Sequence, residues 1–159
     1  MVNKHIPFRT FQLIVHSASG QHMTPQGRTD AQLQVRLWRS GYLSAADTTR
    51  QWSLIPVNGN SGMVRIKNAY HERCVALPQA KAGTELVYAK TSNDDSQLWE
   101  IRVPDSAQAD FVIASALDPN LVISPKEGSH DPETPLEVEE FGPWSDQFWR
   151  LREPRSAKD

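Results

Sequence analysis

One short pattern recurs three times along this chain: Arg50-Gln51-Trp52-Ser53-Leu54, Gln97-Leu98-Trp99-Glu100-Ile101 and Gln147-Phe148-Trp149-Arg150-Leu151. The tryptophans follow one another at intervals of 47 and 50 residues. A near-constant period of this size means a small unit that cannot bury its own apolar face and must share a core with its copies. Each tryptophan also opens a short alternating run, such as Trp99-Glu100-Ile101-Arg102-Val103, and alternation with one apolar face predicts a half-buried strand.

The likeness extends upstream. Leu33–Leu37, Leu86–Tyr88 and Leu136–Val138 precede the three tryptophans, the last two after the turn signals Gly83-Thr84-Glu85 and Glu133-Thr134-Pro135. Before these, each unit opens with a strand, a polar turn and a second strand. The first strands are Phe11–Val15, Met63–Ile66 and Phe111–Ala114; the second are Gln21–Thr24, Arg73–Leu77 and Leu121–Ser124. No segment keeps a helical period long enough to nucleate a helix. The pattern predicts an all-β chain of three units with four strands each, closed three-fold into a barrel with few free edges: a β-trefoil. One domain is expected over residues 1–159, with repeats at about 8–57, 58–107 and 108–153 and short tails at either end.

A Gln-x-Trp triplet closing each of three such units resembles the signature of the ricin-type lectins, over most of the chain from Phe8 to Leu151. The first triplet departs from it, with Arg50 where the pattern has Gln. Trp52, Trp99 and Trp149 are read as core, burying on the order of 200 Å² each. Gln97 and Gln147 are read as structural partners that satisfy loop backbone groups.

The resemblance implies a sugar pocket per unit: an Asp on the second strand, an aromatic after the third and an Asn before the triplet. A carboxylate accepts sugar hydroxyls, a ring stacks on the C–H face and an amide adds a donor and an acceptor. Carried onto this sequence, the Asp positions hold Thr24, Ala76 and Ser124, the aromatic positions Trp38, Ala89 and Glu139, and the amide positions Thr49, Ser96 and Asp146. The disulfides common in that family are absent, since Cys74 is the sole cysteine. The second unit reads as blind to sugar. Candidate ligand-binding residues are therefore Thr24, Trp38 and Tyr42 in the first unit, on and near the loop Trp38-Arg39-Ser40-Gly41-Tyr42, and Ser124, Glu139, Trp144 and Asp146 in the third. Trp38 and Tyr42 equally suit packing on the barrel.

Charge separates along the chain: six Lys/Arg against two Asp/Glu in residues 1–57, six of each in 58–107, and five against eleven in 108–159. The net −2 makes no electrostatic case for nucleic acid, and no apolar run is long enough to span a membrane. Neither a metal site nor a cofactor is expected, because His5, His16, His22, His71 and His130 form no pair at ligand spacing. Cys74 sits in an apolar strand and reads as packing. No catalytic grouping is evident, so an enzyme is not expected. The leading expectation is a carbohydrate-binding module with altered or partly lost sites. The alternative is a sugar-blind trefoil that binds protein, as a toxin or complex subunit or a protease inhibitor. The N-terminus shows no secretory signal, which points to the cytoplasm or to release by an unmarked route.

Overall fold

The structure, a computed structural model, describes residues 9–25, 34–38, 50–57, 62–104, 110–142 and 144–154. Twelve strands run through them: β1 (Phe11–His16), β2 (His22–Pro25), β3 (Val35–Trp38), β4 (Trp52–Pro56), β5 (Met63–Asn68), β6 (Arg73–Ala76), β7 (Val87–Lys90), β8 (Trp99–Arg102), β9 (Val112–Ser115), β10 (Leu121–Pro125), β11 (Leu136–Glu140) and β12 (Trp149–Arg152). Among the described residues the helical content is confined to short 3-10 turns, and none is long and apolar enough to cross a membrane.

Six strands form the barrel wall. β1 pairs with β4, β4 with β5, β5 with β8 and β8 with β9, all antiparallel. β12 pairs with β1, and the Phe111–Trp149 bridge joins β9 to β12 through two backbone hydrogen bonds of 2.9 and 2.8 Å. Closure removes the open edges a flat sheet of these strands would leave. The hairpins β2–β3, β6–β7 and β10–β11 close one end. Three bridges link them around the axis: Gln34 to Val87, Glu85 to Glu137 and Pro135 to Arg36. Each uses corresponding positions of successive units, so the hairpins meet with three-fold regularity.

The core follows the same rule. Trp52, Trp99 and Trp149 are fully buried, and each indole N–H donates to the carbonyl of a second-strand residue: Met23 (2.9 Å), Val75 (2.9 Å) and Ile123 (3.1 Å). A buried indole must find such an acceptor, and each unit supplies it at the same place. Burying about 200 Å² of ring contributes about 5 kcal/mol per tryptophan before entropy. Cys74 is buried with its thiol 3.3 Å from the Thr91 hydroxyl, and burial raises its pKa.

The strand register also identifies which residues correspond. Opposite the three tryptophans stand Asn68, Ser115 and His16. All three sit where a turn begins. Asn68 Oδ1 accepts from the Tyr70 and His71 amides, Ser115 Oγ accepts from the Leu117 amide, and His16 Nδ1 contacts the Ser19 hydroxyl at 2.7 Å. In the first unit that turn ends at Gly20 with φ 75°, a conformation Glu72 adopts at its own equivalent place with φ 57°.

Candidate functional site

Each hairpin presents its outer face through one ladder. Thr24 faces Arg36 and His22 faces Trp38 in the first unit; Ala76 faces Val87 and Cys74 faces Ala89 in the second; Ser124 faces Glu137 and Val122 faces Glu139 in the third. The register therefore aligns Trp38, Ala89 and Glu139, as it does Thr24, Ala76 and Ser124. In the second unit this face carries small or apolar side chains and no ring.

In the third unit the outer face is acidic. Ser124 is buried, and Glu137 across the ladder from it is buried too, with Glu139 two residues further on the same face. Burial and a hydrogen bond to Glu139 push the Glu137 carboxyl up to about 7, against the pull of Lys126 and of the Glu127 amide. Glu137 thus holds its proton well above the usual carboxylate range. Glu137 did not figure among the sequence candidates. Its signal is positional, since alternation along β11 puts it on the face of Glu139, but its partner Ser124 is visible only through the ladder. Lys126 also pairs with Glu85 at 2.7 Å, and Glu85 accepts from Gln34 at 2.6 Å, holding the Glu85 carboxyl below its ordinary range.

The loop after β11 is latched by Gln147. Its Nε2 donates to Glu140 O (2.8 Å) and its Oε1 accepts from the Gly142 amide (2.9 Å). Gln97 makes the same pair with Lys90 O (2.8 Å) and the Ser92 amide (3.0 Å). At the corresponding place in the first unit stands Arg50, whose guanidinium carries donors only and so cannot accept from a loop amide as glutamine does. On the latched third loop, Trp144 is 59% exposed, and its ring lies over Gly142 so closely that a Cβ there would fall 2.2 Å from it. Only glycine leaves room for this pose. Phe141, also exposed, carries the Arg102 guanidinium 5.4 Å above its ring.

Asp146, on the 3-10 turn Ser145–Gln147, reaches back toward the body of the fold. Its Oδ1 meets His130 Nε2 at 2.6 Å, and its backbone carbonyl lies 2.9 Å from His16 Nε2. A carbonyl can only accept, so His16 carries its proton on Nε2 and its Nδ1 accepts from Ser19. Burial lowers the His16 pKa, so the ring is neutral near pH 7. Gln21 Nε2 donates to the His130 carbonyl and ties that loop down. The absence of histidine pairs at ligand spacing holds only along the chain: in space, donor atoms of His16, His130 and Asp146 all lie within 4.8 Å of one another.

The candidates are therefore split. Ser124, Glu139, Trp144 and Asp146 belong to one unit, on β10, on β11 and on the segment between β11 and β12. Thr24 is buried and Trp38 half-buried in the first unit, while Tyr42 and Thr49 lie outside the described residues. His22, facing Trp38, is buried with neither ring nitrogen hydrogen-bonded, and burial plus the charges of Arg50 and Arg152 lower its pKa to about 4.

The fold is shared with known lectins. The Macrolepiota procera ricin B-like lectin, solved with lactose, matches with a TM-score of 0.78 at 14% identity over 95% of this chain and all of that one. The Rhizoctonia solani agglutinin matches with 0.78 at 16% identity, over 96% and 99%. The designed three-fold symmetric protein ThreeFoil gives 0.75 at 13% identity, over 90% and 98%. No curated protein sequence matches significantly. Residues 48–139, more than half of the chain, match the ricin-type β-trefoil lectin domain-like family, and the chain belongs to it.

Proposed function

We propose that the chain is a glycan-binding module whose surviving recognition is in the third unit, with the first unit as a second site. The observation that carries this reading is Trp144, an exposed indole fixed over Gly142 on a loop pinned by Gln147, in the same unit as the carboxylates of Glu139 and Asp146. A rigid ring offers stacking to the C–H face of a sugar, and carboxylate oxygens accept its hydroxyls. The second unit, with Ala76, Ala89 and Ser96 at the three pocket positions, offers neither ring nor carboxylate. Small polar ligands on so shallow a surface bind in about the micromolar to millimolar range.

The test is a glycan array with the purified protein beside Trp144→Ala and Trp38→Ala. Binding lost in Trp144→Ala, with the thermal midpoint nearly unchanged, supports the third-unit site. Loss only in Trp38→Ala moves recognition to the first unit. A blank array from folded protein sinks the reading and favours the second one, a protein-binding trefoil. That reading rests on the missing carboxylate at Thr24, Ala76 and Ser124 and on the exposed apolar residues Leu117 and Phe141.

A further inference from the structure

We propose that His16, His130 and Asp146 form a binding site for a divalent transition-metal ion of the zinc class, clamping the first unit to the third. Two imidazoles and a carboxylate are the donor set such ions favour, and their ligand atoms already lie within 4.8 Å of one another. Tetrahedral coordination at about 2.0–2.2 Å per ligand sets donor atoms about 3.4 Å apart. The 2.6 Å contact between His130 Nε2 and Asp146 Oδ1 opens by less than an ångström to meet this, and the widest pair closes by a little more.

The three ligands come from different places, each held independently. His16 ends β1 and is fixed by strand pairing to Trp149, with the rings 5.0 Å apart. His130 is carried by the loop between β10 and β11, anchored through its carbonyl by Gln21. Asp146 sits on the turn before β12, and its carboxylate fits because Gly128 has no side chain: a Cβ there would lie 3.0 Å from Asp146 Oδ2. His130 and Asp146 are partly exposed, with side chains 46% and 33% accessible, so an ion enters from their side while His16 closes the inner wall. Three protein ligands leave a fourth position for water or a ligand oxygen. Binding displaces the proton held between His130 Nε2 and Asp146 Oδ1 to solvent and exchanges that hydrogen bond for two metal bonds. His16 supplies the ion's third bond through its unprotonated Nδ1, giving up the Ser19 contact, or through Nε2 once its proton has shifted to Nδ1, giving up the Asp146 carbonyl contact.

The experiment uses untagged full-length protein dialysed against EDTA and titrated calorimetrically with ZnCl₂ and NiCl₂, with MgCl₂ as control. One ion per chain is expected, with no heat from Mg²⁺ and a thermal midpoint raised by about 5–10 °C at a hundred-fold excess over Kd. His130→Ala, at an exposed position, and Asp146→Asn should each weaken Zn²⁺ binding at least ten-fold while keeping the wild-type far-UV spectrum. Absence of binding to wild type shows that the three groups are only a hydrogen-bonded clasp, and overturns the proposal. Undiminished binding in His130→Ala does the same, by assigning the ion to other histidines such as His5 or His71.

Discussion

Replacing Trp99 separates two contributions that the structure assigns to every core tryptophan. Its indole fills the barrel with no exposure, and its N–H is the 2.9 Å partner of the Val75 carbonyl. Trp99→Ala removes both, and large-to-small changes of this kind cost about 3–5 kcal/mol. Trp99→Phe keeps most of the ring but leaves the Val75 carbonyl unpaired in the core, a loss of about 1–3 kcal/mol. For a domain of this size those values lower the midpoint by about 6–20 °C and about 2–12 °C respectively. Urea unfolding followed by far-UV circular dichroism measures both, since each substitution itself changes the tryptophan fluorescence. Trp52→Phe and Trp149→Phe break the equivalent bonds to Met23 and Ile123, so the three phenylalanine variants should agree within about 1 kcal/mol. A Trp99→Ala protein within about 0.5 kcal/mol of wild type would refute the assignment of these residues as the shared core.

Gln147→Ala should cost about 1–3 kcal/mol by stranding Glu140 O and the Gly142 amide, and should raise hydrogen exchange in residues 141–146 before the rest of the chain. Glu133 holds φ 71° where the second unit has Gly83 at 86°, so Glu133→Gly should stabilise by about 0.5–1 kcal/mol in thermal unfolding; its exposed ion pair with Arg36 at 3.7 Å offsets little of that. Because His22 is depressed to about 4, its neutral form favours folding above pH 6.5, and up to about 3 kcal/mol is lost as pH falls through 4. His22→Val, the residue type of the corresponding Val122, should remove that acid loss in urea titrations at pH 4 and 7. Glu137 works in the opposite sense: raised to about 7, it favours folding below 4.5 and gives that up as pH rises through 7, so Glu137→Gln should be relatively more stable above pH 7 than wild type.

The strands were legible because period-two alternation and the recurring tryptophan are local signals, and each of the twelve lies within a residue or two of where the pattern puts it. The alignment of Trp38, Ala89 and Glu139 was legible for the same reason, since it needs only counting along each unit. What sequence could not supply was juxtaposition across the closed barrel. His16 and Asp146 are separated by 130 residues, and they meet because β12 pairs with β1. Glu137 was missed on similar grounds: its burial beside Ser124 and under the Glu127 amide depends on the hairpin and on the turn Lys126–Gly128. Tyr42 belongs to a first-unit loop outside the described residues, where Arg50 replaces the glutamine that latches the other two.

Comparing equivalent positions shows where side chains exceed what the fold needs. Opposite Trp99, a single hydroxyl suffices, with Ser115 accepting from one turn amide. His16 meets the same need with Nδ1 and then spends a second nitrogen on Asp146 O, across the junction between the first and last units. The amide position shows the same excess: Ser96 is adequate in the second unit, whereas Asp146 brings a carboxylate that binds His130. The aromatic position follows suit, with Ala89 sufficient for packing and Glu139 hydrogen-bonded to Glu137. Packing alone tolerates small side chains at all three places, as Ser115, Ser96 and Ala89 show. Titratable groups that crowd together carry a cost in burial and repulsion, and here they collect at one side of an otherwise three-fold object. A ligand or an ion bound at that junction, as proposed above, would offset this cost, whereas the core keeps its symmetry because its tryptophans are fully paired and buried.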